Sequence, residues 1–376
     1  MSEKEIPLKI CFVSLSAYPL LAGKDLGFAG GAERRLALLA KEIVKQGFGV
    51  SFITYGDGGK TVVHLDNIRV IKVYKRDDVP RLNPLIKAWH VWNALRKANV
   101  DIYLESPGLA GIVSLFCRLR GRKSILSIAS ELDIMKKPAA QNRKFYLILA
   151  HKLNIKVANS VIAQSESQKK MLSENFGQES IIIKNPFRLP NKEMPDKHSP
   201  PLILWVATVK PLKQAELFLE LAKAIPEAKF QMIGGSALGE EQYFVTIQEA
   251  AGGILNLDFL GFIPHDKIRH YFSRGSILVN TSIIEGFPNT FLEAWAAYTP
   301  VVSLNADPDE VICRHKLGFH SKSFEQMVED VITLLNDEEL RGEMGRNGRE
   351  YVEQEHDIQK IATQYAALFK QLVDEG

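Results

Sequence analysis

Cysteine is scarce in this chain. Its 376 residues hold three, Cys11, Cys117 and Cys313, far apart and with no Cys-x-x-Cys. That usage argues against a disulfide framework or a zinc knuckle and fits a reducing compartment. Nine histidines are scattered, and no His-Glu-x-x-His occurs. The Cys313-x-His315 pair is taken as incidental rather than as a metal site. Long apolar runs are missing too. A membrane span needs about 18 apolar residues, whereas the stretch Ser106 to Cys117 offers 12, broken by Pro107 and Gly108. The opening residues, Met1 to Lys9, mix both charge signs and do not read as a secretory signal. The expected location is therefore cytoplasmic. Overall charge is nearly balanced: 47 basic against 44 acidic side chains leave +3. No Gly-x-Gly-x-x-Gly occurs in the first glycine-rich loop, which counts against a dinucleotide-dependent dehydrogenase.

What is present points to two α/β domains. The length suits two domains, and 46% hydrophobic with 24% charged residues describes an ordinary globular chain. Short β-branched runs alternate with amphipathic segments. Lys9–Ser14 reads as a strand. Gly31–Gln46 reads as a helix, with Leu36, Leu39, Ala40, Ile43 and Val44 at helical spacing and Gly47 as its stop. Between Asn185 and Pro201 stand five prolines, a stiff linker. The alternation then restarts at Leu202. The expected division is an N-terminal domain over 1–184, a linker over 185–201 and a second domain over 202–356. Strand–helix alternation implies parallel sheets covered by helices, hence two doubly wound Rossmann-like domains facing across a cleft. Ligands on such sheets bind beyond the carboxyl ends of the strands.

Three motifs could carry chemistry there. The loop after the first strand ends in Gly30-Gly31 at a helix start, where backbone N–H groups and the helix dipole suit an anion. Val206 to Lys213 follows the first strand of the second half, and a lysine at that strand end can reach a phosphate. A lone lysine is otherwise a solvated surface charge. The third motif is Ser282-Ile-Ile-Glu285-Gly286-Phe287-Pro288-Asn289-Thr290-Phe-Leu-Glu293-Ala. It runs strand, loop, helix. Glu285 in the loop can accept hydrogen bonds from sugar hydroxyls, and Gly286 to Thr290 turns into a helix N-terminus. Thr290-x-x-Glu293 also fits a capping box, which is the purely structural alternative for Glu293.

The Glu-x7-Glu pattern within Glu-Gly-Phe-Pro-Asn-x-x-Leu-Glu-Ala resembles the signature of retaining glycosyltransferases of family 4, which have the GT-B fold. The Gly30-Gly31 loop, the proline-rich segment after Asn185 and Lys213 fall in that family's order. The final helix, 357–376, resembles the family's terminal segment, which packs back on the first domain. The resemblance implies that Glu285 contacts the donor sugar and Glu293 the nucleotide ribose. It implies that Lys213 and the backbone at Gly286, Phe287, Asn289 and Thr290 hold the diphosphate, and that Gly31 approaches it. The turn Gly261-Phe262-Ile263 would lie near the base. The implied reaction moves a sugar from a nucleotide-diphosphate donor to a hydroxyl with retention and needs no metal or other cofactor. Two departures stand out. The family often has an arginine where this chain has Thr208, and Lys210 is the candidate substitute. Many members carry a histidine where this chain reads Ile128-Ala129-Ser130-Glu131-Leu132-Asp133; Glu131 or Asp133 would supply the polar contact.

The balanced charge hides an asymmetry. Residues 1–184 contain 29 basic and 16 acidic side chains, a net of +13; the remainder carries −10. The excess clusters in Arg69–Lys97 and again between Arg118 and Lys156, with Trp89, Trp92, Phe145 and Tyr146 interleaved. In the family the first domain takes the acceptor. The expectation is a lipid-linked or anionic glycan acceptor and docking on an anionic membrane surface at the inner face, with no nucleic-acid partner. The role implied is cell-surface polysaccharide or glycolipid biosynthesis. A sugar-nucleotide epimerase of the same fold is the rival enzyme. A non-catalytic nucleotide-sugar-binding scaffold is the rival class, raised by Thr208 and the absent histidine.

Overall fold

A computed structural model describes residues 7–23, 30–78, 82–109, 111–135, 145–190, 192–193 and 195–374. The chain divides between Pro186 and Phe187. One unit contains most of the chain before that point together with residues 358–376; the other contains residues 187–357.

The first unit is built on eight strands: β1 (Lys9–Val13), β2 (Gly49–Gly56), β3 (Val62–Leu65), β4 (Ile68–Lys75), β5 (Ile102–Glu105), β6 (Lys123–Ser127), β7 (Ser160–Ala163) and β8 (Ile181–Ile182). Their order is β3-β4-β2-β1-β5-β6-β7-β8, parallel except for the β3–β4 hairpin. The central strands are apolar and buried on both faces because helices cover each side of the sheet. Helix Gly31–Lys45 buries Leu36, Leu39, Ala40 and Ile43 as its periodicity predicts, and Gly47 at φ +88° ends the turn that follows. Helix Ile358–Asp374 packs Ile361, Tyr365, Leu368, Phe369 and Leu372 into the same core, with Phe369 edge-on to Phe48. The last helix is thus part of the first unit's hydrophobic core.

The second unit has six parallel strands: β9 (Leu202–Val206), β10 (Lys229–Ile233), β11 (Leu257–Gly261), β12 (Ile277–Asn280), β13 (Val301–Ser303) and β14 (Gly318–His320). Their order is β11-β10-β9-β12-β13-β14. The chain winds outward in one direction from β9 and then starts again from β12, so the switch point lies between these two strands. In such sheets ligands bind beyond the carboxyl ends of the strands at this point.

Residues 187–201 belong to the second unit. The Phe187 N–H donates to the His356 carbonyl at 2.7 Å, so the two places where the chain passes between units lie side by side. Lys197 fastens the segment further on. Its buried Nζ reaches the Gly275 carbonyl at 2.8 Å, the Ala297 carbonyl at 2.6 Å and Thr299 Oγ1 at 2.7 Å. Burial, with the Arg341 charge adding to it, pushes that amine down to about 7.

Candidate active site

The two loops at the second unit's switch point meet. The loop after β9 carries Thr208, exposed, then Lys210 and the single turn Pro211–Lys213. Gln214, at φ +46°, ends that turn and starts helix Ala215–Ala224, so the chain reverses sharply at Lys213. The loop after β12 carries Thr281 to Pro288. Backbone bonds lace the two together: the Ile283 N–H donates to the Leu212 carbonyl at 3.0 Å, and Thr281 Oγ1 donates to the Lys213 carbonyl at 2.7 Å. Trp205 Nε1, from β9, donates to Thr281 Oγ1 at 2.9 Å.

This lacing brings Lys213 Nζ onto Glu285 Oε1. Ser282 Oγ donates to the same oxygen at 2.6 Å. Ser282 is set by Asn280, whose Oδ1 accepts its N–H at 3.2 Å, and by Asn305, whose Nδ2 donates to its carbonyl at 3.1 Å. The lysine and glutamate side chains are 17% and 14% exposed, enough to meet a ligand while largely shielded from water. Lys210 stands near enough for both to act on it. Burial and the Lys213 charge lower its pKa, while Glu285 and Glu240 oppose the shift. A second cation therefore sits beside the pair.

Helix Asn289–Ala296 begins at Asn289 with Pro288 as its N-cap, and no side chain caps it. Thr290 is inside the helix, so Thr290 and Glu293 do not form a capping box. Glu293, mostly buried, accepts instead from His265 Nε2 at 2.8 Å. His265 opens helix His265–Arg274, just beyond the Gly261-Phe262-Ile263 turn. Phe287 turns its ring inward against Trp295 and His356, so only its backbone faces the loop. Phe262 is the reverse, 44% exposed at the end of β11. A cavity of about 230 Å³ is lined by Glu293 together with Phe187, Pro190, Glu193, Arg269 and His270; its lining does not include Lys213 or Glu285.

Sequence reasoning missed Ser282 and His265 as partners of the two glutamates, and Asn305 as a partner of Ser282. It also passed over Gly234-Gly235 after β10. A Cβ on Gly234 would lie 1.9 Å from the Ala207 carbonyl oxygen, and one on Gly235 would press on Phe262. Two consecutive glycines at a strand end were the available signal.

In the first unit, Gly30 is the N-cap of helix Gly31–Lys45 and both glycines are exposed. The loop after β6 has its polar residues committed. Asp133 Oδ2 accepts the N–H groups of Ser130 and Ala129 at 2.9 and 3.3 Å, and Glu131 accepts from Ser167 at 3.2 Å. A histidine does reach this loop, from a distant place in the chain: His151 Nε2 lies 2.5 Å from the Asp133 carbonyl. Buried Arg35 holds the same loop from below, donating to the Ile128 carbonyl at 3.3 Å, Ser127 Oγ at 3.0 Å and Asn185 Oδ1 at 3.1 Å.

The basic clusters are partly consumed by structure. Lys72 is buried, 2.8 Å from Asp57 and over the Tyr18 ring; Arg122 pairs with Asp101 at 3.2 Å. Trp92 turns into Phe116. Arg81, Lys136, Lys137, Arg143 and Lys144, and the side chains of Phe145 and Tyr146, lie outside the described residues. Lys75, Lys152 and Lys156 stay exposed, and so do apolar and basic side chains on two helices. Helix Pro84–Ala98 presents Leu85 (79% exposed) and Trp89 (61%), and helix Ile112–Arg120 presents Leu115 and Leu119, with Arg96, Lys97, Arg118 and Arg120 among them. Among the described residues no helix is long and apolar enough to cross a membrane.

Two family models match the chain in succession. Residues 29–188 match Glycosyltransferase Family 4, and residues 190–351 match Glycosyl transferases group 1. An uncharacterized glycosyltransferase of Haemophilus influenzae is 26% identical over 360 residues, 92% of this chain and 97% of that protein. The capsular polysaccharide biosynthesis glycosyltransferase CapM of Staphylococcus aureus is 24% identical over 349 residues, 85% of this chain and 89% of its own. Among solved structures, sucrose-phosphate synthase from Thermosynechococcus elongatus superposes with a TM-score of 0.81 at 18% identity, over 98% of this chain and all of that one. Anabaena HepE in complex with UDP-glucose superposes at 0.75 with 17% identity, over 97% of this chain and all of that one.

Proposed function

Because this chain belongs to glycosyltransferase family 4 and has the GT-B fold, we propose that it moves a sugar from a nucleotide-diphosphate donor to an acceptor hydroxyl with retention of configuration. The observation that carries the reading is the Lys213–Glu285–Ser282 constellation at the β9/β12 switch point. Glu285 accepts hydrogen bonds from the donor sugar's hydroxyls. Lys213, Lys210 and the N-terminus of helix Asn289–Ala296 stabilise the charge that grows on the leaving diphosphate. Glu293, oriented by His265, holds the ribose, and exposed Phe262 lies against the base. The C1–phosphate oxygen bond breaks while the acceptor oxygen bonds C1 on the same face, and the acceptor proton passes to the leaving phosphate oxygen. No metal and no separate general base enters this route.

The HepE complex with UDP-glucose and the role printed for CapM support a uridine nucleotide-sugar donor and a cell-surface polysaccharide or glycolipid product. The acceptor is lipid-linked or anionic, and the two-helix face of Leu85, Trp89, Leu115 and Leu119, edged by arginines and lysine, docks on an anionic membrane at its cytoplasmic side. Each basic side chain near such a surface contributes about 1 kcal/mol.

A panel of nucleotide sugars scored by protection from thermal unfolding tests the donor, since a bound ligand raises apparent stability as RT ln(1 + [L]/Kd). Protection by one donor, followed by acceptor-dependent release of nucleotide with retained anomeric configuration, supports the proposal. Binding without turnover on any acceptor, unaffected by Glu285→Gln, replaces it with a scaffold role. Sedimentation with vesicles covers the membrane part: salt-sensitive binding to anionic vesicles is expected, and equal non-binding to anionic and neutral ones overturns it.

A further inference from the structure

Past the end of β13 the fold gathers three metal-binding side chains. Asp307, Cys313 and His320 each place a donor atom within 4.8 Å of the others. They come from three pieces of chain: the loop after β13, the short helix Val311–Arg314, and the end of β14. Asp307 is held firmly, its side chain 1% exposed. One carboxylate oxygen accepts the Ile312 N–H at 2.8 Å; the other lies 3.4 Å from the Cys313 N and 3.8 Å from His320 Nδ1. Cys313 is exposed, whereas Cys11 and Cys117 are buried. His315 turns away onto the Tyr351 ring, centroids 4.9 Å apart. The fold thus splits the Cys313-x-His315 pair and gives Cys313 different neighbours.

A thiolate, an imidazole and a carboxylate form a donor set suited to a borderline-soft divalent cation. Around zinc, with bonds of about 2.0–2.3 Å, adjacent ligand atoms stand about 3.3–3.7 Å apart. The 3.8 Å between His320 and Asp307 is close to this spacing. All three donor atoms lie within 4.8 Å of one another, so closing onto zinc requires shifts of about 1 Å at most. Asp307 and Glu310 place negative charge and Lys322 positive charge around the thiol.

We propose that Asp307, Cys313 and His320 bind one zinc ion, with solvent in the fourth position. On binding, the Cys313 S–H proton is released to solvent and the sulfur ligates as thiolate. The site is structural and separate from the transfer chemistry: it ties the loop after β13 to β14. That loop includes Asn305, whose bond to the Ser282 carbonyl backs the residue that holds Glu285.

Zinc chloride titrated calorimetrically into the purified full-length chain, with cobalt chloride as a spectroscopic probe, tests the site. One zinc per chain is expected, along with a thiolate-to-cobalt charge-transfer band and a rise in melting temperature with zinc. Cys313→Ser is expected to abolish the band, weaken zinc at least tenfold and leave the metal-free melting temperature unchanged. His320→Asn weakens zinc similarly, and His315→Asn has no effect. Absence of stoichiometric binding overturns the site, as does zinc binding undiminished in both Cys313→Ser and His320→Asn.

Discussion

Lys213 donates from its ammonium to Oε1 of Glu285, a residue 72 positions further along the chain. Ser282 Oγ adds a second bond to that oxygen at 2.6 Å. The carboxylate is therefore aimed by two donors before any ligand arrives, and such preorganisation is what stabilises developing charge cheaply. Glu285→Gln and Lys213→Met are each expected to lower kcat about 10²–10³-fold. Ser282→Ala is expected to cost about tenfold, with unfolding midpoints little changed. Steady-state kinetics with the donor found by thermal protection checks this; wild-type kcat in Lys213→Met removes the lysine from the reaction.

The His265–Glu293 contact, 2.8 Å long, orients the carboxylate that the proposed reading puts on the ribose rather than on the transferred sugar. His265→Ala should therefore raise KM for the donor several-fold while kcat falls less, because lost uniform binding shows in KM. His265→Gln retains a donor and should recover part of the loss. A kcat-only defect would place His265 in the chemical step instead.

Glu105 closes β5 fully buried, where Asn154 Nδ2 donates to Oε1 at 3.0 Å and, among the described residues, Oε2 has no hydrogen-bond partner of good geometry. Burial raises its pKa from 4.5 to about 7. Below pH 4.5 folded and unfolded chains both hold the proton. Between pH 4.5 and 7 only the unfolded chain releases it, so stability falls as pH rises and stays low above 7. The shift corresponds to about 3 kcal/mol. Glu105→Gln should flatten that part of the pH profile and be the more stable protein at pH 8. Denaturant unfolding from pH 4.5 to 8 decides it; parallel profiles for the two proteins refute it.

Arg35 lies buried and gathers Ile128, Ser127 and Asn185 onto one guanidinium, with burial lowering its pKa. Arg35→Met fills much of the volume but leaves those acceptors unpaired, each costing about 1–3 kcal/mol. A loss of about 3–5 kcal/mol in urea unfolding is expected. A loss below 1 kcal/mol would mean that water replaces the guanidinium.

The alternation of strand and helix was legible because parallel strands covered on both faces are mostly apolar, as in Ile10–Val13 of β1, Ile102–Leu104 of β5 and Val161–Ala163 of β7. The Glu-x7-Glu block was legible because its glutamates sit in one loop–helix segment. Partners from elsewhere in the chain were not. His265 meets Glu293 from 28 positions away, and Asn305 meets Ser282 from 23. Local patterns are silent about such approaches. The capping-box alternative for Thr290 and Glu293 failed because the N-cap is Pro288, two residues earlier than that motif requires.

By itself the sequence determined the α/β class, the break near Asn185, the family resemblance and the charge split between +13 and −10 halves. These depend on composition and on neighbours along the chain. Tertiary structure decided which side chains are spent on the fold and which face a site. Lys72 is taken up by Asp57, Asp133 by its own turn and Phe287 by Trp295. Sheet order alone carried the lysine after β9 to the glutamate after β12. Strand adjacency, not sequence distance, sets which loops share a ligand, because a parallel sheet opens a space only where its winding reverses.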